Sequence, residues 1–337
     1  MIFLKNDYSV CAHPAVLDEL VKNNLVYSDS YCNDDRCEKT ADLVREQIGD
    51  PDAAIHYIIG GTLVNLTCLA AFLKPYEAVI TTVEGHIAVH ETGAIEATGH
   101  RLLEVPTDDG KLDPADVDRI CAIHNMDQMV VPRIIYITNT TEPGSVYTLA
   151  ELEALRECCD RNGLLMYMDG ARLAMALGAE KCDYELADIA RLCDAFYIGG
   201  GKCGALAGEL VVITNDELKP FFRQNMRQHG ALFAKGMIVG MQFDVLLRDG
   251  LYQELGRHCD ELGKKLADGI KAKGYELAYE QESNMVFPIF TYEKVKELAE
   301  KVMFEEWEDR FDGTMVIRLV TSWVSSEDEV NAFLELI

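Results

Sequence analysis

Lys202 stands in a glycine-rich turn directly after an apolar stretch, where its amine is placed to act as a nucleophile. Residues 197–205 read YIGGGKCGA, and the next acidic residue is Glu209. A lysine at the end of a buried strand loses hydration, which lowers its pKa, and a neutral amine can form a Schiff base. The alternative is a solvated loop lysine, which is the commoner situation for an isolated Gly-Lys pair. A P-loop is excluded because Cys203 stands where that motif requires Ser or Thr.

A second reactive group, Asp169, follows an apolar run about thirty residues upstream. Residues 164–172 read LLMYMDGAR, which predicts a buried strand that ends on this carboxylate. A carboxylate at the end of a core strand is costly unless a cation meets it. The protonated ring nitrogen of pyridoxal 5′-phosphate (PLP) is such a cation, and the carboxylate would keep the ring an electron sink while Lys202 carries the cofactor. The pair therefore predicts a PLP enzyme.

The two segments together resemble one family. MDGAR at 168–172, followed by GKCGA at 201–205, is similar to the threonine aldolase and aromatic amino acid β-eliminating lyase branch of the fold-type I PLP-dependent enzymes. The resemblance covers most of the chain. It implies a transferase-like α/β fold, with a mostly parallel, doubly wound sheet and a smaller α+β C-terminal domain. It also implies cleavage of the Cα–Cβ bond of a small amino acid substrate, a β-hydroxy-α-amino acid, with threonine or allo-threonine giving glycine and acetaldehyde.

The same resemblance implies which residues hold the cofactor. Gly60, Gly61 and Thr62 follow a strand and begin a helix, which offers N–H groups and a hydroxyl to a phosphate. His86 falls where the family places a histidine that stacks on the pyridine ring, whereas a lone histidine is otherwise most often a core or loop residue. The expected catalytic residues are Lys202, His86 and Asp169. The expected cofactor contacts are Gly60, Gly61, Thr62, His86, Thr140, Asp169, Arg172, Lys202 and Arg227.

Four residues are expected to bind the substrate: Asn6, Tyr31, Arg172 and Arg318. Arg318 places a charge within the apolar stretch 315–320, and a buried guanidinium suits the α-carboxylate of a ligand. A structural salt bridge is the alternative. The resemblance implies that Asn6 lies on an N-terminal arm that reaches the active site and that Tyr31 faces the substrate. The base that takes the β-hydroxyl proton would be His86 or a bound water.

Alternating strands and helices must position these residues. The pattern predicts strands at 55–59, 78–83, 133–138, 164–168 and 194–198, each followed by a turn that carries expected site residues. From about residue 241 the pattern changes to amphipathic helices, predicted at 244–251 and 252–273, and then to strands. The predicted domains are an N-terminal arm at 1–14, a PLP-binding α/β domain at 15–240 and a small α+β domain at 241–337.

Charge and composition limit the partners. The formal net charge is −26 over 337 residues, which argues against nucleic acid and anionic membrane as partners. There is no apolar run of about eighteen residues and no signal peptide pattern. The 11 cysteines are odd in number and lack the spacing of a zinc site. We therefore expect reduced thiols, no metal and a cytoplasmic protein.

The resemblance also implies an oligomer. Arg227 lies in the segment 221–230, FFRQNMRQHG, whose arginine in the family reaches the phosphate in the neighbouring subunit. The protein would then be a homodimer or homotetramer with shared active sites, and an isolated monomer would be inactive.

Two other functions are compatible with part of the sequence. A PLP enzyme that catalyses β-elimination or other Cα chemistry is favoured by Gln128, which stands where many threonine aldolases carry a histidine thought to contact the β-hydroxyl; His124 is four residues out of register. A nucleotide-binding α/β protein without PLP would use the turn at Gly60. It lacks the G-x-G-x-x-G motif after the first strand and leaves Lys202 without a role.

Overall fold

This computed structural model describes residues 1–337, and its strands and helices alternate mainly over residues 54–199. The strands are β1 (Ile2–Phe3), β2 (Ala54–Ile58), β3 (Glu77–Thr82), β4 (Arg101–Val105), β5 (Val131–Thr138), β6 (Leu165–Asp169), β7 (Ala195–Gly199), β8 (Glu209–Ile213), β9 (Met285–Val286), β10 (Ile289–Thr291), β11 (Val302–Met303), β12 (Glu305–Asp309) and β13 (Thr314–Val320). The helices are α1 (Pro14–Lys22), α2 (Asp35–Ile48), α3 (Gly61–Phe72), α4 (His86–Val89), α5 (Pro114–Ile123), α6 (Leu149–Asn162), α7 (Leu173–Gly178), α8 (Leu186–Leu192), α9 (Phe222–Gln228), α10 (Met237–Leu247), α11 (Leu251–Ala272), α12 (Tyr292–Ala299) and α13 (Glu327–Leu334).

A seven-stranded sheet with the order β2-β8-β7-β6-β5-β3-β4 forms the large domain. The four strand pairs from β7 to β4 are parallel, whereas β8 runs antiparallel to β2 and β7. The carboxyl ends of β5, β6 and β7 therefore lie together, and β8 begins at the same end because Glu209 pairs with Gly199. Ligands of such sheets bind at this end. The predicted α/β architecture with a mostly parallel sheet is confirmed.

The central strands are buried on both faces. In β6, Met166 and Met168 pack into one apolar core, while Leu165 and Tyr167 pack into a second, as the alternation of side chains along a strand requires. Strands covered on both faces are continuous apolar runs, and this made β6 and β7 predictable to within one residue.

A small antiparallel sheet forms the C-terminal domain, in which β13 pairs with β9, β10 and β12. Ile317 and Leu319 of β13 pack into the core of this domain. Arg318 therefore lies on the opposite face of the strand. There it lines a cavity with His90 of the large domain.

The N-terminal arm is anchored on the small domain. Ile2 of β1 pairs in parallel with Val302 of β11, and Leu4 is buried in the core of the small domain. Val320 donates its N–H to the Leu4 carbonyl at 2.8 Å. The sequence does not predict this strand, because two residues are too few for a periodic pattern.

Helix α10 begins seven residues earlier than predicted, whereas α11 is predicted to within one residue. The sequence predicts helices at 244–251 and 252–273, whereas α10 spans Met237–Leu247 and α11 spans Leu251–Ala272. α10 is apolar on nearly all sides because it is largely buried. Its start therefore lacks the amphipathic period that marks α11.

Helix α11 connects the two domains. Tyr252 and Leu255 in its first half pack into the large-domain core, while Leu266 and Ile270 in its second half pack into the core of the small domain. The two cores therefore meet within α11. None of the helices is both long enough and apolar enough to cross a membrane.

Candidate active site

Lys202 lies in the turn between β7 and β8, at the carboxyl end of the sheet. The turn passes so close to other backbone that a Cβ at Gly199 would overlap the Ala171 carbonyl oxygen, and a Cβ at Gly200 would lie 2.7 Å from the Gly208 carbonyl oxygen. Only glycine fits at these two positions. Lys202 is thereby placed at the wall of a cavity of about 180 Å³.

The surroundings of Lys202 favour a neutral amine. Burial lowers its pKa, and the positive charge of Arg172 lowers it further. Three carboxylates have a smaller, opposite effect: those of Asp7, Glu142 and Asp169. Because the net pKa lies below that of an ordinary lysine, more of the amine is unprotonated and nucleophilic at neutral pH.

Asp169 ends β6 among hydrogen-bond donors. Its Oδ1 accepts from the Tyr197 hydroxyl at 2.5 Å, and its Oδ2 accepts from the Tyr136 hydroxyl at 2.6 Å and from Nδ2 of Asn65 at 2.9 Å. Burial would raise the pKa of Asp169, but the charge of His86 and these donors outweigh burial and hold the pKa below its usual value. The carboxylate therefore stays ionised in the interior, as contact with a cationic ring nitrogen requires.

His86 begins α4 and is connected to Asp169 through two side chains. Its Nδ1 lies 2.7 Å from Oε1 of Glu91, and Asn65 donates to the same oxygen at 2.8 Å as well as to Asp169. Burial opposes protonation of His86, yet the Glu91 hydrogen bond and the charge of Glu142 raise its pKa. The ring is thus fixed at the cavity wall with Nδ1 engaged.

The ligand atoms of His86, Glu91 and Asp169 lie within 4.8 Å of one another, a spacing that a metal ion could use. The Asn65 amide nitrogen, however, already donates to both carboxylates. Asn65 thus links one oxygen of each carboxylate in a hydrogen-bond network, while Oε2 of Glu91 is buried without a partner.

The turn after β2 presents donors to an anion. Gly60 has φ +92°, and α3 begins at Gly61, so that the N–H groups of the first helical turn have no acceptor within the helix. Gly61 and Thr62 line the same cavity as Lys202. A helix start of this kind binds a phosphate group.

The polar groups of this cavity fit PLP. Lys202 suits the aldehyde, Asp169 the ring nitrogen and the start of α3 the phosphate. In addition, Oγ1 of Thr140 is buried without a hydrogen-bond partner, which is rare unless a ligand supplies one. Seven of the nine expected cofactor contacts line the cavity: Gly61, Thr62, His86, Thr140, Asp169, Arg172 and Lys202.

Arg172 lines the cavity with its charge paired inside the chain. Its Nε and Nη2 donate to the Asp7 carboxylate at 2.8 and 3.2 Å, and Asn284 donates to the same carboxylate at 3.0 Å. Asn6, by contrast, accepts a hydrogen bond from Ser9 at 2.8 Å within the arm. Asp7 is thus the arm residue that pairs with Arg172, and Tyr8 of the arm lines the cavity of Arg318, whereas Asn6 lines neither cavity within one chain.

Arg318 has no carboxylate partner. Its guanidinium carbon lies 5.1 Å from the centroid of the Trp307 ring, and its Nε is buried without a hydrogen bond. Burial and the like charge of Arg172 lower its pKa. The alternative of a structural salt bridge is therefore not observed, and the guanidinium remains available to a ligand carboxylate.

A second cavity of about 450 Å³, lined by Arg318, His90 and Trp307 among others, adjoins the first. The rings of His90 and His86 are in contact, with centroids 5.4 Å apart. Because His86 lines the Lys202 cavity and His90 the Arg318 cavity, the two histidines mark the boundary between them.

Tyr31 and Arg227 lie together outside both cavities. The guanidinium carbon of Arg227 is 4.6 Å from the centroid of the Tyr31 ring, and Arg227 is exposed. Neither residue lines the Lys202 cavity. Within one chain, these two expected contacts are not brought to the site.

Two buried carboxylates of the cavity were not predicted. Glu142 follows β5, and Glu209 begins β8, where it accepts the N–H of Gly200 at 2.8 Å. Burial raises the pKa of Glu209 to about 8. Glu142 lies two residues after Thr140, so its turn was predicted although its side chain was not, whereas only the strand order brings Glu209 to Lys202. Asn65 had a signal, since it is a fully buried amide in an otherwise apolar helix.

Gln128 and His124 lie away from the cavity. Gln128 is exposed and contacts Sδ of Met126 at 3.4 Å. His124 ends α5, with Nδ1 2.9 Å from the Ile120 carbonyl oxygen. Within one chain, neither residue is brought to the Lys202 cavity.

Comparison with protein families gives one matching family model, that of the beta-eliminating lyases, over residues 13–292. This range contains all but Asn6 and Arg318 of the expected site residues. Among curated proteins, the chain is 28% identical over 333 residues to the low specificity L-threonine aldolase of Pseudomonas sp. (strain NCIMB 10558). The match covers 97% of this chain and 94% of that protein.

Solved structures show the same similarity. The threonine aldolase of Leishmania major matches with a TM-score of 0.98 and 44% identity, covering 100% of this chain and 98% of that chain. A double mutant of the aspartate aminotransferase of Thermus thermophilus matches with a TM-score of 0.73 and 15% identity. The match covers 100% of this chain and 90% of that chain. The second similarity concerns the fold alone.

Proposed function

This chain belongs to the beta-eliminating lyase family, and on that premise we propose that it is a PLP-dependent threonine aldolase that cleaves threonine to glycine and acetaldehyde. The family and the fold-type I class predicted from the segments at Asp169 and Lys202 are confirmed. The nucleotide-binding alternative is not supported.

One observation carries the proposal: a lysine with a lowered pKa and a carboxylate kept ionised line the same small cavity. Lys202 would hold the cofactor aldehyde, and Asp169 would hold its ring nitrogen. The N–H groups at Gly61 and Thr62 would hold the phosphate, and His86 would cover the ring. When bound, PLP accepts the electron pair released at Cα.

The substrate would be oriented by its carboxylate. Arg318 has a guanidinium without a protein partner, held against the face of Trp307, and it lines a cavity that adjoins the Lys202 cavity. A bidentate contact there would fix the rotation about the bonds of Cα and so select which bond breaks. Arg172 is tied to Asp7 and would act mainly through its charge.

We further propose a homo-oligomer with shared active sites. Arg227 and Tyr31 are the two expected contacts that lie outside the cavities of their own chain. An exposed guanidinium without a carboxylate partner suits the cofactor phosphate in a neighbouring subunit.

The test is the visible absorbance of the purified protein with PLP, for the wild type and Lys202→Ala, together with assays for acetaldehyde and glycine from threonine. We expect visible absorbance and both products from the wild type, and neither from the variant. Absorbance with pyruvate from serine but no acetaldehyde from threonine would assign β-elimination instead. Protein that acquires no absorbance with PLP would overturn the proposal entirely.

A further inference from the structure

Glu142 is a buried carboxylate of the Lys202 cavity that forms no hydrogen bond within the chain. It is 6% exposed and lines the cavity. Nε2 of His90 lies 3.9 Å from its Oε2, which is beyond hydrogen-bond distance. A buried carboxylate without donors is costly, so this acceptor is available for a ligand.

The turn that carries Glu142 is held in place by other residues. Thr141 donates its N–H to the Ser145 carbonyl at 3.0 Å, and Ser145 donates its N–H to Oγ1 of Thr141 at 3.0 Å. Gly144, with φ +90°, closes the turn by donating to the Thr141 carbonyl at 3.0 Å. The position of Glu142 is therefore fixed without the use of its own side chain, as a preorganised catalytic group requires.

The charges around Glu142 belong to the groups that would hold the substrate and the cofactor. Its carboxylate interacts electrostatically with His86, His90, Arg172, Lys202 and Arg318. Glu142 is thus close both to the amine that would carry the cofactor and to the guanidinium that would bind the substrate carboxylate.

The polar groups of the substrate decide what this acceptor contacts. A β-hydroxy-α-amino acid has a carboxylate, which another carboxylate repels, and an amine, which is engaged by the cofactor. The β-hydroxyl is then the one remaining hydrogen-bond donor. We propose that Glu142 is the catalytic base that accepts the β-hydroxyl proton as the Cα–Cβ bond breaks. This inference rests on the proposed function.

The step balances within the reaction itself. The hydroxyl O–H bond breaks and its proton passes to Glu142, while its electron pair forms the C=O bond of acetaldehyde. The Cα–Cβ electron pair stays with Cα, which then takes a proton that reaches it from solvent through the Lys202 amine to give glycine, in place of the proton that leaves Glu142. Glu142 returns its proton to solvent on the side of His90, a ring that is 43% exposed and whose Nε2 lies 3.9 Å from Oε2 of Glu142.

The test compares two reactions of the PLP-loaded enzyme. Cleavage of threonine needs a base at the β-hydroxyl, whereas exchange of the glycine α-hydrogen with D₂O needs the cofactor and Lys202 but no β-hydroxyl. For Glu142→Gln we expect kcat for cleavage to fall by about 10²–10⁴-fold, while the exchange rate falls far less and the visible absorbance of the PLP-loaded enzyme is retained. The kcat of Glu142→Asp for cleavage should lie between those of Glu142→Gln and the wild type.

Glu77→Gln is the matched control, because Glu77 is a buried carboxylate that accepts the N–H of Lys74 at 2.8 Å and lines neither the Lys202 cavity nor the Arg318 cavity. It should cleave threonine at the wild-type rate. Cleavage by Glu142→Gln at the wild-type rate would overturn the inference. So would equal losses of cleavage and exchange, which would indicate a structural role. A wild-type enzyme that neither exchanges glycine nor cleaves threonine would overturn the proposed function itself.

Discussion

Arg172 and Asp7 form a bidentate ion pair between residues 165 positions apart in the chain, with N–O distances of 2.8 and 3.2 Å. Both side chains are almost completely buried. The pair attaches the N-terminal arm to the carboxyl end of the sheet, beside Lys202. Within the pair, Asp7 supplies the counter-charge of Arg172, the cation that helps to lower the pKa of Lys202. The arm is therefore part of the active site as well as of the small domain.

Replacement of Asp7 by Asn should destabilise the protein. The change leaves the buried Arg172 without a counter-charge, for which we expect a loss of about 3–5 kcal/mol in the free energy of unfolding. Chemical denaturation measures this loss, with Asp18→Asn on the exposed side of α1 as the control. A loss no larger than that of the control would show that the pair does not hold the arm.

Glu209 should make the stability depend on pH. Its pKa is raised from 4.5 to about 8 in the folded protein, so between these values the unfolded chain releases a proton that the folded chain retains. The contribution of Glu209 to the free energy of unfolding is fully present below about pH 4.5. Roughly 3–5 kcal/mol of it is lost as the pH rises towards 8 and above.

Glu209→Gln removes this titration and can retain the hydrogen bond from Gly200. The free energy of unfolding is measured for the variant and for the wild type from pH 5 to pH 9. The stability of the variant relative to that of the wild type should therefore increase as pH rises. A difference that does not change with pH would contradict the prediction.

Arg318→Lys should weaken substrate binding. A lysine keeps the charge but loses the planar pair of donors, so kcat/KM for threonine should fall about 10–100-fold, mostly through KM. Steady-state kinetics measure this change. Arg310→Lys, an exposed residue in the turn before β13, is the control. Equal kinetics of the two variants would remove Arg318 from the substrate site.

Mixed subunits test the shared active site. Lys202→Ala and Arg227→Ala should each be nearly inactive alone, because each lacks one component of every site. In dimers re-formed from an equal mixture, half of the molecules are hybrids with one intact site, so about a quarter of wild-type activity should return. No return of activity in hybrids confirmed by mass spectrometry would place both residues in the same chain's site.

The sequence was sufficient where a local pattern has a single physical explanation. The run before Asp169 is apolar at every position because β6 is buried on both faces. The glycines before Lys202 reflect close backbone contacts. The helix start at Gly61 follows from the strand that precedes it. All of these lie at the same end of the sheet because parallel strands share their direction.

The sequence failed where partners are distant in the chain or where a pattern is too short. Asn6 and Asp7 are adjacent polar residues, and only the packing of β1 on β11 decides which of them meets Arg172. The strand order likewise decides that Glu209 joins the cavity, because β8 is inserted between β2 and β7.

The amino-acid sequence by itself thus determined the family, the cofactor and the pair Asp169 and Lys202, since these depend on residue types at fixed local spacing. The tertiary structure alone decided the ionisation of the site. Burial and neighbouring charges set the pKa of Lys202, Asp169 and Glu209, and those neighbours come from strands and an arm that are far apart in the chain. It also decided that the side chains of Glu142 and Arg318 have no ion-pair partner within hydrogen-bond distance, because this depends on every residue that packs around them and not on their neighbours in the chain.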